Sequence, residues 1–202
     1  MIKFEMLIRN ISLIISIFLV SSCEAKSSKN FSTPPQDSLE LTKLVRQYFN
    51  WSETNYNKRN AGDFWPTTKP TDTLYNGIDW DMHRQNMKAI EESNLFSKDF
   101  LENYQMIASH IDSALKSGKI IWHVGDMPDF GPSSGEANAW CNCQDHPDNY
   151  LEKVTITGLD VSKDNASYSW TWRNNFLYHV KAKKIDGHWK IDYLQGFDIK
   201  EY

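Results

Sequence analysis

The chain has 202 residues, 22 Lys+Arg against 26 Asp+Glu, and a formal net charge of −4. That balance lacks the basic stripe by which nucleic acid or an anionic lipid surface is held, and argues against both as partners. Three cysteines in a chain of this length cannot carry a disulfide scaffold, so the fold has to rest on an apolar core, for which 40% hydrophobic residues suffice.

The first element in chain order is a leader. Lys3 and Arg9 precede or flank the apolar run ISLIISIFLV, and Val20, Ser21 and Ser22 precede Cys23. A charged start, a short apolar run and small residues are the marks of an export signal. The run from Ile11 to Val20 falls short of the roughly 20 residues that cross a bilayer. The string VSSC resembles a bacterial lipobox. That resemblance implies a signal peptide over residues 1–22 and lipidation of Cys23, with a diacylglycerol on the thiol and a palmitate-type acyl chain on the freed amine. Glu24, where an aspartate would retain the protein at the inner membrane, implies the outer membrane, lipid-anchored on its periplasmic side. Residues 23–36, closing on Pro34-Pro35, read as a lipidated tether. Residues 37–202 read as a single domain.

Within that domain, Asp37 or Ser38 is expected to cap a helix in which Leu41, Leu44, Val45, Tyr48 and Phe49 recur at helical spacing, ending near Arg59. Residues 63–78 contain two prolines and a glycine and are expected to form a loop, with Phe64, Trp65 and Leu74 folded back as anchors. Asp79 is placed to cap a second helix through Glu92. Ser97 then opens the most regular helix, with Phe100, Leu101, Tyr104, Ile107, Ala108, Ile111 and Leu115 on one face and a stop at Gly118.

After residue 150 the period changes from helix to strand. Val154 and Ile156 alternate; Tyr168, Trp170 and Trp172 alternate with Ser167, Ser169 and Thr171; Phe176, Tyr178, Val180 and Ala182 alternate with Leu177, His179, Lys181 and Lys183. Asp186-Gly187 is the dipeptide of a two-residue hairpin turn ahead of Trp189, Ile191 and Tyr193. Helices followed by an antiparallel meander with one apolar face define an α+β domain, the helices packed on the aromatic side of the sheet.

This order, closing on KKIDGHWKIDYL, resembles the cystatin-like and nuclear transport factor two-like class. The segment from NLFSKDFLENY through CQDHPD to LQGF resembles, more narrowly, an uncharacterised family of small bacterial lipoproteins, a domain of unknown function. Asp126, Asp129, Gln144 and Asp145 stand where that family carries an Asp-rich loop and a Gln-Asp pair, although GPSSGEANAW makes the intervening loop longer. The resemblance implies a fold and no particular activity.

The chemistry-bearing stretch is WCNCQDH, residues 140–146. Cys141 and Cys143 have four readings: a disulfide that staples a loop, a labile bridge open to exchange, a pair of free thiols, or part of a metal site with His146 and with His123 or Asp145. The metal reading matches no standard zinc spacing, and no metal or cofactor is expected. In an oxidising compartment the bridge is the preferred reading, a bend at Asn142 bringing the cysteines within reach. Asp126, Asp129, Asp145 and Asp148 lack the spacing of a calcium loop. The aromatic sheet face reads first as core packing against the helices; the alternative is a concave pocket whose candidate lining is Trp140, Gln144, Asp145, Trp170, Trp172 and Tyr193. Neither G-x-S-x-G nor H-E-x-x-H nor a phosphate-cradling glycine loop occurs. Two classes of function remain open. One is a binding or accessory module for an envelope protein or small ligand. The other is a pocket enzyme using Asp145 as acid or base, with an immunity-type inhibitor-binding protein as a further variant.

Overall fold

A computed structural model describes residues 34–59, 63–127, 132, 137–172 and 176–199. The expected leader, Cys23, the expected tether up to residue 33 and Asp129 lie outside the described residues.

Helix α1 spans Pro34–Arg59. It begins ahead of the expected cap, so residues 34–36 are helical and not tether. Proline suits a first turn because the amide it lacks would have no partner inside the helix anyway. Asp37 is therefore a first-turn residue instead of the cap, and it is buried. Leu41, Leu44, Val45, Tyr48 and Phe49 face the core as their spacing requires.

Beyond α1, two-residue strands β1 (Pro66–Thr67) and β2 (Gly77–Ile78) pair antiparallel. Of the three expected anchors only Phe64 is buried, while Trp65 and Leu74 are exposed. Helix α2 (Trp80–Ser93) starts at Asp79, whose carboxylate accepts from the amides of Asp81 and Met82. Helix α3 (Lys98–Lys116) starts at Ser97, whose hydroxyl accepts from the Phe100 amide, and it stops before Gly118 at φ 71. One turn, α4 (Tyr150–Lys153), precedes the sheet. Among the described residues no helix is long and apolar enough to cross a membrane.

The sheet is a meander, β3 (Thr155–Ser162), β4 (Asn165–Thr171), β5 (Tyr178–Ile185) and β6 (His188–Leu194), in the order β3-β4-β5-β6 and antiparallel throughout. Asp186 at φ 51 and Gly187 at φ 79 make the β5–β6 turn with both central residues left-handed, the form that matches strand twist. Helix α1 lies on this sheet, touching β3 and β6 along its length, with Phe49 against Trp170 and Trp172. Helix α3 packs on β6 and on the turn that follows it, and α2 packs on α3. The free edge of β6 is closed by residues 95–97: the amide of Ile191 donates to Leu95, and that of Ser97 to Ile191.

Tyr193 departs from the expected alternation. Strand pairing shifts between Lys181 and Ala182, so Leu194 opposes Val180 while Tyr193 opposes Lys181. A bulge of this kind turns every later side chain over. Leu194 is therefore buried, whereas Tyr193 lies on the outer face with the Lys181 ammonium 5.1 Å from its ring.

Candidate functional site

The loop 137–147 is built from its own hydrogen bonds. Asn138 starts a turn whose carbonyl accepts from the amides of Cys141 (3.1 Å) and Asn142 (2.6 Å), while its own amide donates to the Cys143 carbonyl (2.9 Å). Its side-chain oxygen accepts from the Trp140 amide at 3.0 Å, the local pairing that makes asparagine a turn residue. Asn142 adopts φ 50, bringing the α-carbons of Cys141 and Cys143 to 5.2 Å, and the two sulfurs are bonded. The bridge occupies both sulfurs, so neither is a thiolate ligand. Among the described residues no group of three metal-ligating side chains occurs, and His123 instead bridges to Leu74 in a short strand pairing.

Three anchors fix this loop to the body. The Trp140 indole donates to both Asp63 carboxylate oxygens at 3.0 and 3.2 Å, and Tyr104 donates to the same carboxylate at 3.0 Å. Tyr178 donates to the Ala139 carbonyl at 2.6 Å. Tyr48 donates to the Trp140 carbonyl at 3.3 Å, and burial, with the other core tyrosines, holds its hydroxyl far above the usual tyrosine range. The Trp140 ring packs among Phe197, Trp51 and Phe96. Trp140 is thus a buried support, and it does not line the cleft described next.

On this frame sits an open cleft of about 500 Å³, lined by Asn142, Cys143, Gln144, Asp145 and His146 together with Phe176. Asp145 is exposed, and its carboxylate accepts from the His146 amide at 2.8 Å. His146 Nε2 lies 3.5 Å from Glu53 of α1, and its ring meets Tyr150 at 4.0 Å and the edge of Phe49 at 6.1 Å. Partial burial, with Glu53 nearby, raises the Tyr150 hydroxyl above its ordinary value. Asn138 also donates to Glu53 at 3.5 Å. A half-buried imidazole beside a carboxylate can bind a polar group or move a proton.

Of the expected pocket residues, Gln144 and Asp145 line this cleft. Trp172 lies behind it, stacked on Phe176 at 4.7 Å and 6°. Trp170 is fully buried between α1 and the sheet, and Tyr193 is on the opposite sheet face. The aromatic face of the sheet is therefore core, and the Tyr168 hydroxyl and Trp172 indole nitrogen are buried in it with no hydrogen bond among the described residues. Asp126 and Asp148 are exposed, as acidic loop residues usually are. Sequence reasoning passed over Glu53, Asp63 and Phe176. The partners of Glu53 are 85 or more positions away and those of Asp63 are 41 and 77, beyond the reach of any local pattern. No protein-family model, curated protein or solved structure matches the chain.

Proposed function

We propose that this chain is a lipid-anchored periplasmic protein of the outer membrane, acting as a binding or accessory module for an envelope protein or small ligand. Its helix-on-sheet body is assigned to the cystatin-like and nuclear transport factor two-like class, a reading supported by α1 and α3 lying on one face of a four-stranded meander. The observation that carries the binding reading is the cleft itself. Asn142, Gln144, Asp145 and His146 present amide, carboxylate and imidazole groups to solvent from a loop held rigid by buried anchors. Such preorganised donors and acceptors suit recognition, because little ordering entropy remains to be lost on binding.

The Glu53–His146 pair favours a second reading, a pocket enzyme in which His146 moves a proton. Asp145 suits that role less well, being exposed and engaged with a backbone amide. Thermal-shift screening of envelope ligands, beside crosslinking in intact cells, separates the readings. A ligand or partner lost in Gln144→Ala and Asp145→Ala, with no turnover, supports the module. Turnover abolished in His146→Gln with the fold intact would replace it with the enzyme.

A further inference from the structure

The function proposed above leaves the Cys141–Cys143 bridge without a task, yet its setting is unusual for a staple. The loop it spans is already closed by the backbone, through the Asn138 amide on the Cys143 carbonyl and the Cys141 and Asn142 amides on the Asn138 carbonyl. A bridge across one intervening residue also restrains the unfolded chain little, since the entropic effect of a cross-link grows with the loop it closes. Little folding stability therefore depends on keeping it shut. The two residues differ in exposure: Cys141 is fully buried at 0%, whereas Cys143, although buried at 8%, lines the cleft.

We propose that this bridge is a thiol–disulfide exchange site, with Cys143 the sulfur attacked and a small or peptide-borne thiol in the cleft as its substrate. The thiolate of that substrate bonds to Cys143 Sγ, the Cys141–Cys143 bond breaks, and its electron pair leaves on Cys141 Sγ. The product is a mixed disulfide at Cys143 and a Cys141 thiolate that takes a proton from solvent. A second substrate thiolate then attacks the substrate sulfur of the mixed disulfide, releasing an oxidised substrate disulfide and leaving Cys143 as thiolate, which is protonated in turn. Two substrate thiols are oxidised and one protein disulfide is reduced. Once Cys141 has taken its proton, the thiol has two carbonyls within reach, Asn138 at 3.6 Å and Cys143 at 3.7 Å, each of which also accepts a backbone amide. A hydrogen bond that only the thiol can donate stabilises the reduced form, and so makes the bridge a better oxidant.

The test uses reduced glutathione as the thiol, with the folded protein quenched in acid, alkylated and mapped by mass spectrometry. The wild type should open its bridge at millimolar reduced glutathione while its circular dichroism stays native. With oxidised glutathione, Cys141→Ser should gain a glutathione on Cys143 at least about tenfold faster than Cys143→Ser gains one on Cys141, as expected of sulfurs that differ in access. Should either variant fail to fold, limited reduction of the wild type followed by brief maleimide labelling reads the same asymmetry, with label on Cys143 first. A bridge that opens only when denaturant unfolds the protein, or equal rates at the two sulfurs, would overturn the proposal.

Discussion

The indole nitrogen of Trp189 donates to the Asp37 carboxylate at 3.2 Å, joining the first turn of α1 to β6 across 152 positions of chain. The same oxygen lies 3.3 Å from the Lys184 ammonium, which in turn sits 4.8 Å from the Trp189 ring. Asp37 is almost wholly buried, so its charge depends on these partners.

Asp37→Ala should therefore cost about 3 kcal/mol, the low end for breaking a buried pair because Lys184 keeps some contact with water. Trp189→Phe, which keeps most of the packing and removes the donor, should cost about 1.5 kcal/mol. Denaturant unfolding of both variants is the measurement. A loss under about 0.5 kcal/mol for Asp37→Ala, the range of ordinary surface substitutions, would show that α1 is held by its apolar face alone.

The bridge in the cleft loop makes a different demand. Because the Asn138 turn survives its removal, Cys141→Ser with Cys143→Ser should lower stability by only about 0 to 2 kcal/mol. Calorimetry under non-reducing conditions measures it, and a loss above about 4 kcal/mol would make the bridge a principal support of the fold.

Lipidation is checked in cells. With VSSC at residues 20–23, a palmitate analogue should label the wild type and leave Cys23→Ala unlabelled. Equal labelling of the two would remove the anchor from the proposed function.

Where the core face of an element is regular, the sequence shows it plainly. Phe100, Tyr104, Ile107, Ile111 and Leu115 fall on one face, Ser97 supplies the cap, and α3 follows with its ends in place. The Asp186-Gly187 turn was equally legible, since φ above zero at both positions favours that dipeptide. Tyr193 was not, because the bulge that turns it outward depends on how β6 registers against β5. The site was legible only in part. Gln144, Asp145 and His146 adjoin a conspicuous pair of cysteines, whereas Glu53 reaches them from α1 and Phe176 from beyond β4. Trp170 and Trp172 lie in the core, as the preferred reading has it; a pocket reading stayed open for them because an indole that packs against a helix and one that lines a pocket follow the same strand alternation.

His83 gives a pH dependence. It is buried on α2 against the rings of Tyr104 (5.4 Å) and Phe64 (6.1 Å), with Trp80 edge-on, and Nε2 lies 3.0 Å from Gln105 Oε1. Burial holds its pKa below 6.5; the Gln105 contact works against this and the Arg84 charge adds to it. The folded imidazole thus stays neutral while the unfolded one takes a proton below about 6.5. The unfolded state then binds more protons, so this contribution is complete above pH 6.5 and is lost as pH falls through the folded pKa. Urea unfolding at pH 7 and pH 5 should show a smaller acid loss in His83→Phe than in the wild type, and an unchanged difference would remove His83 as its source.

Gly196 offers the sharpest steric test. A β-carbon there would sit 2.0 Å from the Ala139 carbonyl oxygen, and the obstruction is backbone that cannot swing aside. The approach is close because the Tyr178 hydroxyl ties both strands of chain, donating to the Ala139 carbonyl at 2.6 Å and accepting from the Gly196 amide at 3.0 Å. Gly196→Ala should accordingly push the 195–197 turn away from the cleft loop and cost about 3 kcal/mol or more, at or beyond the upper range for overpacking. Tyr178→Phe keeps the ring and removes both hydrogen bonds, for a loss of about 2 kcal/mol. The two changes act on one junction, so the double variant should lose less than the sum of the single losses. Full additivity in chemical denaturation would mean that Gly196 and Tyr178 hold the loop independently.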